Sequence, residues 1–300
     1  MENLLDPAGF NEIKKCRYGT FLFNRNDWPI GTSLREYGEY AFEELTFLQQ
    51  LLTPESWVVD AGANIGTHTV WFAQHAAYVV SFEPQRIAFQ TLNANIALNS
   101  LLNVHTFYAA VGDKNGHIMV PVRDQNKPNN FGGVPLAGTT EGERTPLVTL
   151  DSLNLPRCDL IKVDVEGMEA EFLVGAILTI NHFRPILYME ADGEQAKEAI
   201  GMLFEWGYDC YWSVPNLFNP HNIENKREDV FMNASGRPIC SINMLAVPKE
   251  RNTNVIGLKK IESADEQPAM AIVVPPATDE IGRAYYALLA QRQQENGVKA

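Results

Sequence analysis

Short apolar runs alternate with helix-like segments between residues 57 and 247, and this alternation restricts the fold more than any other feature of the sequence. The runs that predict strands are 57–60, 79–83, 104–111, 160–164, 185–190, 207–212 and 242–247. The segments with helical periodicity are 34–52, 67–75, 84–99, 169–180 and 194–206. Repeated β–α units place their strands parallel in one sheet, with helices on both faces. We therefore expect an α/β fold: a doubly wound seven-stranded sheet whose last strand runs antiparallel.

The segments outside this alternation predict appendages to one large domain. Residues 1–33 are expected to form an irregular or β-rich lead-in, and residues 34–248 the main domain. Turn-forming NG and GG pairs between two β-like runs predict a β insertion over about 112–150. Residues 249–300 are expected to form a tail, in which a threonine cap predicts a terminal helix over about 278–295.

The overall charge and composition narrow the range of partners and compartments. The formal net charge of −13 argues against a broad basic surface, so we expect no nucleic-acid partner. We expect no membrane insertion, because no run of 18 apolar residues occurs. The four cysteines are scattered without a CxxC pair, and no signal peptide is recognisable. These features predict a soluble cytoplasmic protein.

The sequence DAGANIG, residues 60–66, directly follows the first predicted strand. Glycines in such a turn permit unusual backbone dihedrals and close approach of a ligand. In doubly wound sheets, ligands bind beyond the carboxyl ends of the strands, near the point where the strand order reverses. We therefore predict a cofactor-binding loop that contains Asp60, Gly62, Ala63, Asn64 and Gly66.

The pattern of glycines and acids indicates which cofactor this loop binds. The dinucleotide pattern GxGxxG fails at two of its three positions and GK[ST] is absent, which disfavours an NAD-dependent dehydrogenase. Strand-end acids at Asp60 and Glu83 suit a cofactor with a cationic amino-acid end and a ribose diol, because Glu83 can accept both ribose hydroxyls. Asp60 can face the ammonium or sulfonium group, directly or through water. S-adenosylmethionine has these parts. The alternative is a simple tight turn, with Glu83 capping the helix that begins at Pro84.

The second group of polar residues lies in IKVDVEGMEAEF, residues 161–172. Lys162, Asp164 and Glu166 share parity, so they point the same way along an extended segment. They are our candidate catalytic residues: the carboxylates can orient an acceptor hydroxyl or take its proton, and the lysine can hold them in place. The alternative, an ion-pair network at a helix start, suits Glu169 well.

A divalent-cation site is a further alternative for the same box. Asp164, Glu166 and Asp192 could offer hard oxygen ligands to Mg²⁺ or Ca²⁺. We do not favour this interpretation, and we predict no metal ligands.

Taken together, these motifs resemble the FkbM family of methyltransferases over about residues 43–248. The resemblance lies in the DAGANIG turn, the Glu83–Pro84 pair, the LDSL sequence at 150–153 and the IKVDVEGMEAEFL box. It implies a class I methyltransferase (Rossmann-like) fold, S-adenosylmethionine as donor and transfer to oxygen. By matching position, it assigns the cofactor to Asp60, Gly62, Asn64, Gly66 and Glu83, and the methyl-transfer site to Lys162, Asp164, Glu166 and Glu169.

The expected activity is O-methylation of a small-molecule or glycan acceptor, namely a sugar, a glycolipid or a polyketide-like product. The alternatives are transfer to nitrogen or to a carboxylate of another small molecule, and a non-catalytic cofactor-binding protein. The loop 213–241 could cover the substrate, because Phe218, Asn219, His221 and Asn222 suit a sugar, but a solvated loop is an equal interpretation. Residues 129–133 are a second candidate lid.

Overall fold

The computed structural model describes residues 5–6, 8–191, 193–232 and 238–268, and it gives no side-chain environment for residues 193–195. The predicted terminal helix over 278–295 lies outside the described residues, and so does Asp192, the third residue of the disfavoured cation-site alternative. The strands are β1 (Asn11–Cys16), β2 (Gly19–Asn24), β3 (Trp57–Ala61), β4 (Tyr78–Phe82), β5 (Val104–Phe107), β6 (Ala110–Val111), β7 (Gly116–Val120), β8 (Glu143–Val148), β9 (Leu160–Val163), β10 (Ile186–Glu190), β11 (Tyr208–Ser213), β12 (Asn243–Pro248) and β13 (Lys259–Lys260). The helices are α1 (Ile30–Tyr37), α2 (Phe42–Leu48), α3 (Thr67–His75), α4 (Arg86–Leu98), α5 (Glu169–Gly175), α6 (Ile177–Phe183) and α7 (Gly193–Glu205).

The central sheet has the strand order β13-β11-β12-β10-β9-β3-β4-β5. Strands β3, β4, β5, β9 and β10 pair in parallel, whereas β12 runs antiparallel to both of its neighbours. The predicted doubly wound sheet with an antiparallel last strand is confirmed. The two-residue strand β13 adds an eighth member at the edge, which the sequence pattern did not indicate.

Side chains of the central strands alternate between two hydrophobic clusters. Val59 and Ile161 pack on one side, together with residues of α5 and α7. Val58 and Leu160 pack on the other side, together with residues of α2 and α3. Because side chains two apart on a strand share a face, the residues two positions after Val58 and Leu160 point towards α3. These residues are the polar pair of the candidate site.

Two predicted helices are each broken in the structure. The segment 34–52 forms α1 and α2, followed by a short 3₁₀ turn, because Gly38 and Ala41 adopt left-handed backbone angles (φ 66° and 56°) between them. The segment 169–180 forms α5 and α6. At this break Gly175 lies so close to Gly112 that a Cβ would stand 1.9 Å from its carbonyl oxygen. The predicted strand 104–111 is likewise split into β5 and β6.

The β-rich lead-in is a hairpin of β1 and β2. It attaches to α4 through two asparagines one turn apart, since the backbone N–H of Leu22 donates to Asn95 (2.6 Å) and that of Thr20 to Asn99 (2.8 Å). Asn95 also donates to the carbonyl of Ile65, in the glycine turn (2.8 Å). The hairpin therefore lies next to the turn that begins α3.

The segment after β5 forms a separate small sheet with the order β6-β8-β7. Strand β8 pairs in parallel with β6 and antiparallel with β7. The residues between β7 and β8 return towards the carboxyl ends of the central strands. Within the described part of the chain, no helix has the length and apolar character needed to cross a membrane.

Candidate functional site

The glycine turn packs directly against the loop that follows β9. Gly62 has φ 80°, and a Cβ there would stand 1.7 Å from the carbonyl oxygen of Asp164. The backbone N–H groups of Gly62 and Ala63 both donate to the carbonyl of Phe82, at 3.0 and 2.8 Å. Only glycine fits this position, so the turn and the second motif are joined at their backbones.

The rest of the turn leads into α3 through two further left-handed residues. Asn64 has φ 51° and Gly66 has φ 88°. A Cβ on Gly66 would stand 2.5 Å from a methyl carbon of Leu92 on α4. The left-handed angle of Gly66 favours glycine more than this contact does, because the leucine side chain can shift. Ala63 and Asn64 line the open side of the turn.

Glu83 follows β4 and closes the turn from the neighbouring strand. One carboxylate oxygen accepts the N–H of Asn64 (2.8 Å) and the other accepts the N–H of Gln85 (2.7 Å). Burial raises the pKa of Glu83 to about 7, although these two hydrogen bonds act in the opposite direction. Each oxygen retains acceptor capacity, so the capping role and a role towards a ligand are compatible.

Asp60 and Lys162 are direct partners on the adjacent strands β3 and β9. Asp60 is fully buried; its Oδ2 accepts the hydroxyl of Thr69 (2.6 Å), and its Oδ1 has no hydrogen-bond partner. Lys162 Nζ lies 3.8 Å from that Oδ1 and donates to Asp164 at 3.2 Å. Burial lowers the pKa of Lys162, but the carboxylates of Asp164, Asp60 and Glu44 outweigh it and raise the pKa overall. The lysine is therefore held in its charged form.

The residues after β9 form a tight acidic turn. The Asp164 side chain is 41% exposed, whereas Lys162 beside it is buried. Glu166 has a left-handed backbone (φ 54°), and burial, followed by the neighbouring Asp164 and Glu169, raises its pKa to about 8. Glu169 accepts the backbone N–H groups of Val165 (3.4 Å) and Gly167 (3.3 Å). Glu169 thus stabilises the turn, while Asp164 and Glu166 line a cavity.

Glu190, at the end of β10, is a site residue that our sequence reasoning missed. Carboxylate oxygens of Asp164, Glu166 and Glu190 lie within 4.8 Å of one another. Burial, together with the charges of Asp164 and Glu166, raises the pKa of Glu190. Its place as the last residue of the strand next to β9 is the signal that could have revealed it. Such a triad could share protons or hold a cation.

A buried pair between α2 and α3 completes the polar lining. Glu44 Oε1 lies 2.8 Å from His68 Nε2, and both side chains are about nine-tenths buried. The ring of Tyr40 meets that of His68 edge-on, with 6.1 Å between their centroids. All three residues line the cavity. His68 therefore both contacts Glu44 and lines the cavity.

These groups surround one cavity of about 270 Å³ at the carboxyl ends of the parallel strands. It is lined by the predicted site residues Gly62, Ala63, Asn64, Glu83, Lys162, Asp164 and Glu166. Asp60 and Gly66 lie behind the lining and support it. Asp151 of the LDSL sequence instead accepts the N–H groups of Leu178 and Thr179 (2.9 and 2.8 Å), so it caps α6.

The two candidate lids differ in their relation to this cavity. In the insertion, Asn130, Gly132 and Gly133 line it. In the loop 213–241, the lining residues are Leu217 and Ile239–Ser241.

The four side chains that we expected to suit a sugar are not among the lining residues. Asn219 donates to Glu39 (2.6 Å), Asn222 donates to backbone carbonyls, Phe218 packs on Tyr37, and the carbonyl of His221 accepts from Arg17. They hold the loop together. The sequence could not reveal this for Phe218, Asn219 and His221, because their partners lie about 180 residues or more away along the chain.

Comparison with known proteins assigns the middle of the chain to a family domain. A family model described as the methyltransferase FkbM domain matches residues 60–210, just over half of the chain. "Methyltransferase 1" of Beauveria bassiana (strain ARSEF 2860) is 27% identical over 145 residues, which are 40% of this chain and 58% of that protein. "Methyltransferase sdnD" of Sordaria araneosa is 29% identical over 160 residues, which are 41% of this chain and 61% of that protein. The chain therefore spans about three fifths of the length of these curated relatives.

A comparison with solved structures gives matches of low overall similarity. A crystal structure of methyltransferase FkbM from Methylobacillus flagellatus KT matches with a TM-score of 0.42 and 17% identity, covering 65% of this chain and 44% of that one. The residues matched by the family model include the glycine turn, Glu83 and the three clustered carboxylates.

Proposed function

Because the chain belongs to the FkbM family of S-adenosylmethionine-dependent methyltransferases, we propose that it methylates a hydroxyl oxygen of a sugar, a glycan, a glycolipid or a polyketide-like product. The observation that carries this proposal is that the glycine turn and the Asp164–Glu166–Glu190 cluster open into the same cavity. A cofactor held at the turn and an acceptor held at the carboxylates would therefore lie side by side. Alignment of the reacting groups is the main contribution that a protein makes to such a transfer.

The turn side of the cavity fits S-adenosylmethionine in its donor set. The acidic lining suits the cationic sulfonium and ammonium groups, and Glu83 retains acceptor capacity for the ribose hydroxyls. Gly62, Ala63 and Asn64 let backbone and small side chains come close to a ligand. Asp60 would act from behind, by fixing Lys162, and Gly66 by shaping the turn. The sulfonium supplies the reactive methyl group when the cofactor is bound.

The carboxylate side of the cavity suits an acceptor hydroxyl. Asp164 is partly exposed and held by Lys162, so it can accept a hydrogen bond from the hydroxyl without moving. The acceptor hydroxyl would give its proton to Asp164, directly or through a water, while its oxygen takes the methyl group that leaves the sulfonium sulfur. Carboxylate oxygens of Glu166 and Glu190 lie within 4.8 Å of one another and of Asp164, so all three groups can contact the same acceptor.

The acidity of the cavity also bears on the class of acceptor. The carboxylates that line it include those of Glu44, Asp164, Glu166 and Glu190. Lys162 also lines it, but its charge is paired with Asp60 and Asp164. Phosphate-bearing acceptors are disfavoured by this charge, which supports our expectation that the acceptor is not a nucleic acid. The same charge would accept Mg²⁺ or Ca²⁺, so a cation requirement belongs in the test.

The test is methyl transfer from isotopically labelled S-adenosylmethionine to a panel of acceptors, with Mg²⁺ or with a chelator. The panel contains neutral sugars and glycosides, amino sugars, hydroxylated polyketides, carboxylic acids and transfer RNA. We expect an O-methylated product from one of the neutral hydroxyl compounds. A product methylated on nitrogen or on a carboxylate would contradict oxygen transfer and support the alternative.

Calorimetry with S-adenosylmethionine separates binding from catalysis. Glu83→Ala should lose binding, whereas Asp113→Ala, at an exposed carboxylate, should retain it. Cofactor binding with no transfer to any acceptor, in either metal condition, would favour a non-catalytic cofactor-binding protein.

A further inference from the structure

The lead-in and the insertion meet at one buried carboxylate, Asp27. Its Oδ2 accepts the N–H of Gly31 at 3.1 Å, and its Oδ1 accepts the N–H of Phe131 at 3.3 Å. Asp27 is 3% exposed. One side chain thus bonds two segments that lie about one hundred residues apart in the chain.

The backbones of the two segments pair on either side of Asp27. Trp28 N–H donates to the Asn129 carbonyl (2.9 Å), and Asn129 N–H donates to the Asn26 carbonyl (3.0 Å). The Asn26 side chain donates to the carbonyl of Gln125 (2.9 Å). The junction is therefore a continuous line of hydrogen bonds centred on Asp27.

Burying the Asp27 carboxylate between two loops costs free energy. The described residues give it no ion pair, and its partners are backbone N–H groups; burial raises its pKa to about 6 despite them. A buried carboxylate without a cation is retained only where surrounding donors hold it. This arrangement calls for an explanation beyond general packing, because an apolar contact could join the loops without burying a charge.

The two joined segments form a continuous wall of the cavity. Trp28 and Ile30 line it from the lead-in, and Asn130 and Gly132 line it from the insertion. Gly132 lies against the turn, since a Cβ there would stand 2.9 Å from the side-chain nitrogen of Asn64.

The end of the wall is fixed to the segment that follows β4 and contains Glu83. The Gln85 side chain donates to the Phe131 carbonyl at 2.7 Å. The wall therefore stands over the turn and the residue that follows β4, which is the side of the cavity that we assign to the cofactor.

We propose that Asp27 is a positioning residue for cofactor binding: it joins residues 26–31 to residues 129–133 and so forms the wall that encloses S-adenosylmethionine. This inference rests on the proposed function. Asp27 touches no reacting atom. Loss of its carboxylate frees the wall to move away from the turn, so a bound cofactor escapes faster while its entry is not slowed.

The test measures binding and release of S-adenosylhomocysteine by wild type, Asp27→Asn and the control Asp124→Asn. Asp27→Asn keeps the side-chain shape but removes the charge and one acceptor oxygen. Asp124 lies in the same insertion, is exposed, and accepts a local N–H from Asn126 (3.0 Å). Surface plasmon resonance gives both rate constants, and hydrogen exchange reports the wall in the unliganded protein.

For Asp27→Asn we expect the dissociation rate to rise about tenfold, corresponding to about 1.4 kcal/mol, with the association rate unchanged or faster. Exchange should rise at 26–31 and 129–133 and stay the same in β3 and β4. Asp124→Asn should match wild type in every measurement. A purely structural role for Asp27 would raise exchange without changing the dissociation rate, and that outcome overturns the proposal.

A second variant covers the case in which Asp27→Asn does not fold. Asn26→Ala removes the side-chain bond to the Gln125 carbonyl without disturbing a buried charge. It should shift the dissociation rate in the same direction by a smaller factor, and an unchanged rate counts against the proposal. If wild type does not bind S-adenosylhomocysteine at all, the proposed function is wrong as well. If wild type binds it and only the predicted change in dissociation rate is missing, the Asp27 proposal alone is wrong.

Discussion

Replacing Lys162 with methionine should destabilise the protein mainly through Asp60. Methionine fills a similar volume but removes the charge. Asp60 is fully buried, and its Oδ1 has no hydrogen-bond partner, so Lys162 Nζ at 3.8 Å is its compensating cation. Asp164 lies nearer to Lys162, at 3.2 Å, but its side chain is 41% exposed and water can replace the lysine there.

The size of the effect follows from this geometry. At about 3.8 Å and an effective dielectric constant of about 20, the attraction between the two charges is about 4 kcal/mol. Removing one partner of a buried pair typically costs about 3–5 kcal/mol in unfolding free energy, since the other charge is left uncompensated. The half-exposed pair with Asp164 adds about 1 kcal/mol or less. We therefore expect Lys162→Met to lower the unfolding free energy by about 3–5 kcal/mol.

A double-mutant cycle in urea isolates the coupling. Adding Asp60→Asn to Lys162→Met removes the stranded charge, so the double variant should recover about half of the loss or more. Lys114→Met is the matched control, since Lys114 pairs with Asp113 at 3.4 Å on the surface. The control should change stability by less than about 1 kcal/mol.

The pH dependence of this effect has a definite sign. The pKa of Lys162 is raised in the folded state, so its contribution is fully present below the unfolded pKa and is lost only as pH rises through the folded value. The loss in Lys162→Met should thus be the same at pH 6 and pH 9, to within about 0.5 kcal/mol. Additive single effects in the cycle, or a loss no larger than in the control, would refute the reasoning.

Three further expectations concern single positions. Gly62→Ala should abolish cofactor binding in calorimetry and lower the melting temperature, because its Cβ would stand 1.7 Å from the Asp164 carbonyl oxygen. The control Gly116→Ala has open space around its Cβ and should preserve both properties, whereas a Gly62→Ala protein that still binds the cofactor would contradict the geometry. The pKa of Glu166 is raised to about 8 in the folded state, so its protonated form favours folding and stability falls as pH rises from about 4.5 to 8. Glu166→Gln should therefore flatten the melting temperature of the unliganded protein between pH 5 and 8.5, and an unchanged slope excludes Glu166 as its source. Asp164→Asn should lower methyl transfer about a hundredfold or more while leaving S-adenosylhomocysteine affinity within about threefold, and full activity would remove Asp164 as the proton acceptor.

The arrangement of the central sheet could be predicted from the sequence, because its signals are local. Apolar runs and helical periodicity report which faces are buried, and the handedness and connection rules then leave few topologies. The glycine turn was predictable for a related reason. Gly62 and Gly66 occupy left-handed positions that few residues other than glycine adopt readily, so the requirement is visible in the residue types themselves.

The breaks in the helices could not be predicted from periodicity. Apolar residues recur on both sides of Gly38 and Ala41, but α1 and α2 pack into different hydrophobic clusters, and the chain turns between them. At Gly175 the helix ends where it meets the backbone of Gly112, a contact between segments more than sixty residues apart. Local patterns contain no information about such contacts.

The sequence by itself determined the α/β class, the order of the elements, the glycine turn and the box containing Lys162 and Asp164. Only the tertiary structure decided that Glu190 joins the carboxylate cluster and that Asp27 lies at the junction of two loops. The physical reason is the same in both cases. The energy of a buried charge depends on the groups that surround it in space, and those groups come from segments whose distance along the chain says nothing about their proximity in the fold.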